Sequence, residues 1–218
     1  MNFLDTIQAD IDWRMGDIGT LKSLSKRYNM SQAHQNLIIR YTMPAIYALW
    51  EGFVKSAFYE YIKQLNSKNL INTTVHINIL TYAVESNDKL RLNDARTQIS
   101  TQRKFVQLYN EYYESPLHIS PKIMTNDNVD YKTICILLES FNLERISAPI
   151  YEAALNRMVF LRNEVAHGGQ QVPITMEDVE QYSQLVIDLM SDILGKMETG
   201  YKCQSYLKDS YRQVQNVD

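Results

Sequence analysis

The segment ISAPIYEAALNRMVFLRNEVAHGG, residues 146–169, contains the N-terminal signal, the apolar face and the C-terminal signal of one α-helix. Ser147 is placed to cap its start, and Pro149 falls in the first turn, where a missing N–H group costs little. Apolar residues then recur at steps of three or four, which predicts a face directed at a core: Ile150, Ala154, Met158, Leu161 and Val165. Gly168 and Gly169 predict that the helix ends there.

The same periodicity predicts helices over most of the chain. The expected helices cover residues 4–28, 32–65, 74–86, 131–143 and 148–167, with a last one from 175 to about 209 and an aromatic helix end at 106–113. Ser31, Asp130 and Thr175 are expected at N-termini, and Pro44 is expected to kink the longest helix.

Few residues in the chain favour turns. There are 7 Gly and 5 Pro in 218 residues, and no sustained alternation of apolar and polar residues indicates a strand. We therefore predict an all-α bundle of four to five main helices with extra short helices. The chain is expected to form one domain over residues 1–209, followed by a flexible tail over residues 210–218.

Composition limits the function classes. The net charge of −3 argues against broad coating of nucleic acid by Lys and Arg, although a small site could still hold one or two phosphates. Cys135 and Cys203 lie far apart with no C-x-x-C motif, so neither a zinc site nor any other cofactor is expected. Without a signal-like start or an apolar run of ~18 residues, we expect a cytoplasmic protein with no membrane contact.

Arg162 and His167 stand where the apolar run of the opening segment stops. Their spacing corresponds to a rotation of about 140° on a straight helix, so an intact helix directs them apart. Two arrangements would bring them together. The helix can end or loosen before Gly168, or a second copy of the chain can complete the pair across a two-fold axis.

These two residue types suit the cleavage of an RNA phosphodiester without metal. A histidine can take and give a proton near neutral pH, and an arginine can hold the extra negative charge of a phosphoryl transition state. Asn163 could orient the phosphate or the histidine. A purely structural interpretation stays open, because a histidine in a last turn complements the helix dipole and an arginine there is often a solvated rim residue.

Three ordered segments resemble the HEPN superfamily. LRNEVAHG (161–168) resembles its signature of an Arg, a polar residue and a later His at the end of a late helix. YALWEGFVKSAFYEYI (47–62) is similar to the W-E-G-F helix of stand-alone prokaryotic HEPN proteins. DWRMGDIGTLK (12–22) is similar to the start of that group, although Asp17 stands where the group tends to carry Glu.

The resemblance implies a function and a set of site residues. HEPN enzymes are metal-independent RNases, many of them toxins of toxin–antitoxin or antiviral defence systems, and they tend to form homodimers with a shared, composite active site. Arg162 and His167 correspond to the catalytic pair and Asn163 to its polar partner. Glu51 is a weaker catalytic candidate, either as an ion-pair partner of Arg162 or as a purely structural residue.

Other residues allow two interpretations each. Trp50 and Phe53 are expected in the core rather than at a base-stacking surface. The basic stretch is either an RNA-guiding rim or a solvated face, with acidic residues interrupting it; its members are Arg91, Arg96, Arg103 and Lys104.

Three functions remain in competition. The first is an endoribonuclease toxin or defence effector that cuts tRNA or mRNA and is paired with an antitoxin or a defence-partner protein. The second is a non-catalytic binding or assembly module with the HEPN fold, which the acidic net charge favours. The third is a toxin in which a partner enzyme attaches a nucleotidyl group to a tyrosine or another residue; its motivation is the presence of 15 tyrosines.

Overall fold

The computed structural model describes residues 2–87, 90, 99–123, 128–169 and 172–212. Within them the chain is all-α, as predicted, and its only β-type pairs are isolated bridges. The helices are α1 (Phe3–Arg27), α2 (Gln32–Asn66), α3 (Ile77–Glu85), α4 (Ile99–Tyr113), α5 (Tyr131–Ser140), α6 (Ala148–Ala166) and α7 (Met176–Lys202). Across the described stretches, no helix combines the length and the apolar character that crossing a membrane requires.

Most of the predicted helix starts are confirmed by hydrogen bonds. The Asp130 side chain accepts from the Thr133 amide at 2.8 Å, and the Ser31 hydroxyl accepts from the His34 amide at 3.4 Å. Thr175 and Asp178 cap each other's backbone amides reciprocally at the start of α7. Ser147 is the N-cap residue of α6, but its side chain makes no capping bond, so that part of the prediction was wrong.

The residues of the chain group into two compact units. The first comprises Met1–Phe58, Met124–Cys135 and Arg145–Gly195, and the second comprises Tyr59–Ile123, Ile136–Glu144 and Lys196–Asp218. Helices α2, α5 and α7 contribute residues to both. The predicted tail falls outside the described residues from position 213 onward, and a 3₁₀ turn at Asp209–Tyr211 precedes it.

The core of the first unit confirms Trp50 and Phe53 as buried residues, with 0% of each exposed. Steps of about four residues predict an apolar inner line on α2 through Leu37, Tyr41, Ala45, Leu49, Phe53 and Ser56 with Ala57. This prediction was wrong at its start, because Leu37 and Tyr41 are 54% and 57% exposed. Each step of four drifts about 40° around a helix of 3.6 residues per turn. Ile150 on α6 is likewise exposed, at 66%.

A buried arginine joins α1 to α2. Arg14 is paired with Asp10, at 2.9 Å, and its Nη1 donates to the carbonyl of Leu49 at 2.9 Å. Its guanidinium lies so close to Gly52 that a Cβ at that position would be 2.8 Å from Nη1. The W-R and E-G-F motifs therefore meet at a helix crossing, and this contact sets the position of α2 on α1.

The segment after α7 closes the second unit. Helix α7 ends at Lys202 rather than near 209, and Gln204 has a positive φ of 52°, which breaks the helical path. The ammonium of Lys68 lies 4.7 Å from the ring centroid of Tyr201 and 5.3 Å from that of Tyr206. Tyr201 and Tyr206, which are five positions apart, therefore both contact the ammonium of Lys68 and do not lie on one face of a continuous helix.

Candidate functional site at the end of helix α6

Helix α6 ends in a Schellman motif. The Gly169 amide donates to the carbonyl of Glu164 at 2.8 Å, and the Gly168 amide donates to that of Val165 at 3.1 Å. Gly168 has φ +76°, a conformation that residues with a Cβ rarely adopt. His167 is therefore the last residue before the chain turns, and its side chain is exposed. The predicted glycine stop is confirmed.

The guanidinium of Arg162 is held on three sides. Its Nη1 donates to the side-chain oxygen of Asn163 at 2.7 Å and to that of Asn128 at 3.3 Å. Its Cζ lies 4.7 Å from the ring centroid of Tyr47, which is the geometry of a cation–π contact. Arg162 is half-buried, and its amide and aromatic contacts leave its charge uncompensated by a carboxylate among the described residues.

Tyr47 is buried, with 1% exposed. Its hydroxyl accepts from the Val129 amide at 2.7 Å. Burial raises the pKa of Tyr47 to about 12, and the charge of Glu51 adds to the rise, while the Val129 amide and the charge of Arg162 oppose it. The phenol is therefore neutral throughout the physiological range.

Glu51 does not form the ion pair with Arg162 that the sequence suggested. Among the described residues its partner is Lys55, one turn along α2, at 2.5 Å. The ring of Tyr47 lies against Arg162, and Glu51 stands one turn further along α2, where its charge contributes to the raised pKa of Tyr47. Glu51 thus belongs to the surroundings of the arginine without contacting it.

Arg162 and His167 are not brought together within one chain. No hydrogen bond joins their side chains in the described part of the structure, and the helix continues to the residue before the histidine. Arg162 faces Tyr47 and Asn128, whereas His167 faces solvent. The rotation expected for a spacing of five is therefore retained.

A further arginine, Arg40, contacts the end of α6 and lies outside the motifs found in the sequence. Arg40 on α2 donates from Nη2 to the carbonyl of Gly169, two residues after His167. Arg40 and Tyr47 are seven positions apart, which puts them on one face of α2. That spacing was visible in the sequence, whereas nothing local marked Asn128 as a partner of Arg162.

The basic stretch is described only in part. Arg91 and Arg96 lie outside the described residues, so their predicted role is not addressed by the structure. Arg103 and Lys104 are exposed on α4, a helix with no buried residue. Both belong to the second unit, while Arg162, Asn163, His167 and Glu51 belong to the first.

The arrangement around α6 offers a fixed positive charge and an exposed imidazole. A charged guanidinium oriented by amide oxygens suits a phosphate oxyanion, and an exposed imidazole can exchange protons with a bound substrate. Where the structure describes the chain, no three His, Cys, Asp or Glu side chains come together as a metal site requires.

Comparison with known families agrees with the all-α fold. The family model RiboL-PSP-HEPN matches residues 9–199, which include α2, the whole of α6 and most of α1. No curated protein and no solved structure matches the chain. The match covers most of the sequence and the all-α architecture is the one that the family implies, so the chain belongs to the RiboL-PSP-HEPN family of the HEPN superfamily.

Proposed function

We propose that the protein is a metal-independent endoribonuclease. The observation that carries the proposal is the environment of Arg162, whose guanidinium is held by Asn163, Asn128 and Tyr47. Arg162 lies on α6, the helix that is followed directly by the exposed His167. An arginine held in this way is ready for an anion without further reorganisation, which is the condition for stabilising charge in a transition state. Membership of a superfamily that includes RNases supports the same conclusion.

Each residue has a defined role in this mechanism. A histidine takes the proton of the ribose 2′-OH, whose oxygen attacks the phosphorus, and the bond from phosphorus to the 5′ oxygen breaks. The leaving oxygen takes a proton from an imidazolium, so that a 2′,3′-cyclic phosphate and a 5′-OH are formed. Arg162 holds the extra negative charge on the phosphoryl oxygens, Asn163 orients Arg162, and no cofactor takes part.

A homodimer with a composite site fits the geometry of the single chain. Arg162 and His167 of one chain are directed apart, so a second copy is needed to place an imidazole beside each guanidinium. Leu37 and Tyr41, four positions apart on α2, offer exposed apolar surface next to Arg40, which itself contacts Gly169 at the end of α6. Apolar surface of this kind beside the site is what a second protomer would cover.

The substrate and partners are proposed more broadly. We assign the exposed Arg103 and Lys104, together with Arg91 and Arg96, to a rim that contacts the phosphates of a tRNA or mRNA. Toxin–antitoxin or antiviral defence systems are the proposed setting. An antitoxin or a defence-partner protein would then control the activity.

Cleavage of RNA in the presence of EDTA tests the proposal. Wild-type protein is expected to cut tRNA or mRNA and to leave 2′,3′-cyclic phosphate ends. The His167→Ala variant is expected to lose about 10²- to 10⁴-fold in rate while remaining as stable as the wild type, since the side chain is exposed. His118→Ala is the matched control, because His118 is also exposed and lies outside the site. A wild type that leaves a panel of RNAs intact would refute the proposal.

The alternative is a non-catalytic binding or assembly module. The net charge of −3 and the separation of Arg162 from His167 in one chain favour it. In cells, a catalytic toxin loses its effect on growth with His167→Ala, whereas a module keeps every phenotype with that variant. The module instead loses its phenotype when Leu37 and Tyr41 are replaced by charged residues.

A further inference from the structure

We propose that Tyr47 is a positioning residue that fixes Arg162 for catalysis through its ring and fixes the Asn128 segment through its hydroxyl. The proposal rests on the endoribonuclease function and deepens it.

The ring of Tyr47 supports the guanidinium directly. The Cζ of Arg162 lies 4.7 Å from the ring centroid, and the ring itself is almost fully buried in the first unit. A long, flexible side chain loses rotamer freedom when it lies on a rigid face, and a buried phenol cannot move aside. Arg162 is therefore ordered before substrate arrives, with donors left for a phosphate.

The hydroxyl of Tyr47 fixes a second contact of the same arginine. It accepts from the Val129 amide at 2.7 Å, while the indole of Trp50 donates to the carbonyl of Val129 at 2.9 Å. Two side chains of α2 thus hold the amide and the carbonyl of one residue. Asn128, the residue before it, accepts from Arg162 at 3.3 Å, so its side-chain oxygen is placed by this anchorage.

Glu51 lies near this arrangement without contacting Arg162. Its ion-pair partner among the described residues is Lys55, at 2.5 Å. The charge of Glu51 adds to the effect of burial, which raises the pKa of Tyr47 to about 12, so the phenol that holds the Val129 amide keeps its proton.

Two substitutions of Tyr47 separate the ring from the hydroxyl. Tyr47→Phe keeps the ring and removes the hydroxyl that accepts from the Val129 amide, and it is expected to lower kcat by up to about tenfold with little change in KM. Tyr47→Leu removes both elements and is expected to lower kcat by about 10²-fold. Tyr59→Phe is the control, because Tyr59 is on the same helix and 44% exposed. Thermal unfolding of each variant checks that it is folded.

Coupling to Arg162 distinguishes positioning from general stabilisation. In an Arg162→Gln background, measured by single turnover with excess enzyme, Tyr47→Phe is expected to cause no further loss, because residues that act as a unit are not additive. The same fold-loss in both backgrounds would overturn the proposal. This comparison needs only the conservative variant, so it decides the question even if Tyr47→Leu does not fold.

An NMR measurement keeps the inference separate from the enzymatic function. The Nε–Hε resonance of Arg162, identified by its absence in Arg162→Gln, is expected to be shifted upfield by the Tyr47 ring and to be unchanged in Tyr59→Phe. If the wild type cuts no RNA, the proposed function fails, and this resonance still reports on the positioning. A resonance at the position of a solvated arginine would overturn the inference.

Discussion

At the residue scale, the conformation of one glycine determines where the histidine of the site stands. Gly168 adopts φ +76° and lets the Gly169 amide reach back to Glu164, which ends α6 directly before His167. Without that left-handed residue, the helix would continue past the histidine and hold it within a regular turn. The pair of glycines that follows the motif is thus part of the geometry of the site.

The Gly168→Ala variant tests this role. A Cβ at a left-handed position costs about 1–2 kcal/mol, so the free energy of unfolding is expected to fall by about that amount, and cleavage is expected to fall as His167 shifts. Gly195→Ala is the control, since Gly195 lies in α7 and a Cβ added there would have no atom within 4 Å. The free energy of unfolding of Gly195→Ala is expected to rise by about 0.5–1 kcal/mol. Urea unfolding of both variants measures the two changes, and equal changes would contradict the role of the left-handed conformation of Gly168.

At the element scale, a buried polar contact decides how α2 lies on α1. The side chains of Arg14 and Asp10 are only 9% and 15% exposed, and Leu49 supplies a carbonyl to the same guanidinium. The absence of a side chain at Gly52 makes room for it. Because Tyr47 lies on the same stretch of α2, this crossing also places the ring that contacts Arg162.

Replacing Gly52 by Ala is expected to destabilise the fold. The new Cβ would be 2.8 Å from Nη1 of Arg14, and the guanidinium could move only by giving up its bonds to Asp10 and Leu49. Such overpacking costs about 1–3 kcal/mol, measurable as a lower midpoint in chemical unfolding. Gly16→Ala on α1 is the matched control, since nothing lies within 4 Å of that position, and a small gain is expected there. A Gly52→Ala variant as stable as that control would show that the crossing tolerates a side chain.

At the scale of the whole molecule, the proposed site needs two chains. Arg162 faces the Tyr47 and Asn128 side chains of its own protomer, while His167 is exposed at the helix end. In a composite site, the imidazole of each protomer would lie beside the guanidinium of the other. The separation of Arg162 and His167 along α6 is then compatible with catalysis.

Mixed dimers test this arrangement. Arg162→Ala and His167→Ala homodimers are each expected to be inactive, whereas a heterodimer of the two keeps one intact arginine and one intact histidine in a shared cleft. The two variants are co-expressed with different tags, and the heterodimer is purified through both. We expect this heterodimer to recover part of the RNA cleavage activity. Light scattering measures whether the purified species has the mass of a dimer. No recovery in a verified heterodimer would show that the two residues act within one chain.

The sequence by itself determined the helices and the position of the motif. Periodicity at three and four residues, the capping side chains of Asp130 and Thr175 and the glycine stop after His167 are all local, so they can be read from neighbouring residues. Local signals failed where burial depends on what a helix faces, as at Leu37, Tyr41 and Ile150.

Only the tertiary structure decided what surrounds Arg162. Tyr47 and Asn128 come from segments far apart in the chain, and their contacts with Arg162 depend on how α2 and the segment before α5 pack beside α6. Of the two interpretations of Glu51, the ion pair with Arg162 does not form within the chain, because Glu51 pairs with Lys55 one turn along its own helix. Side-chain partners across helices follow from packing geometry, which no spacing along the sequence specifies.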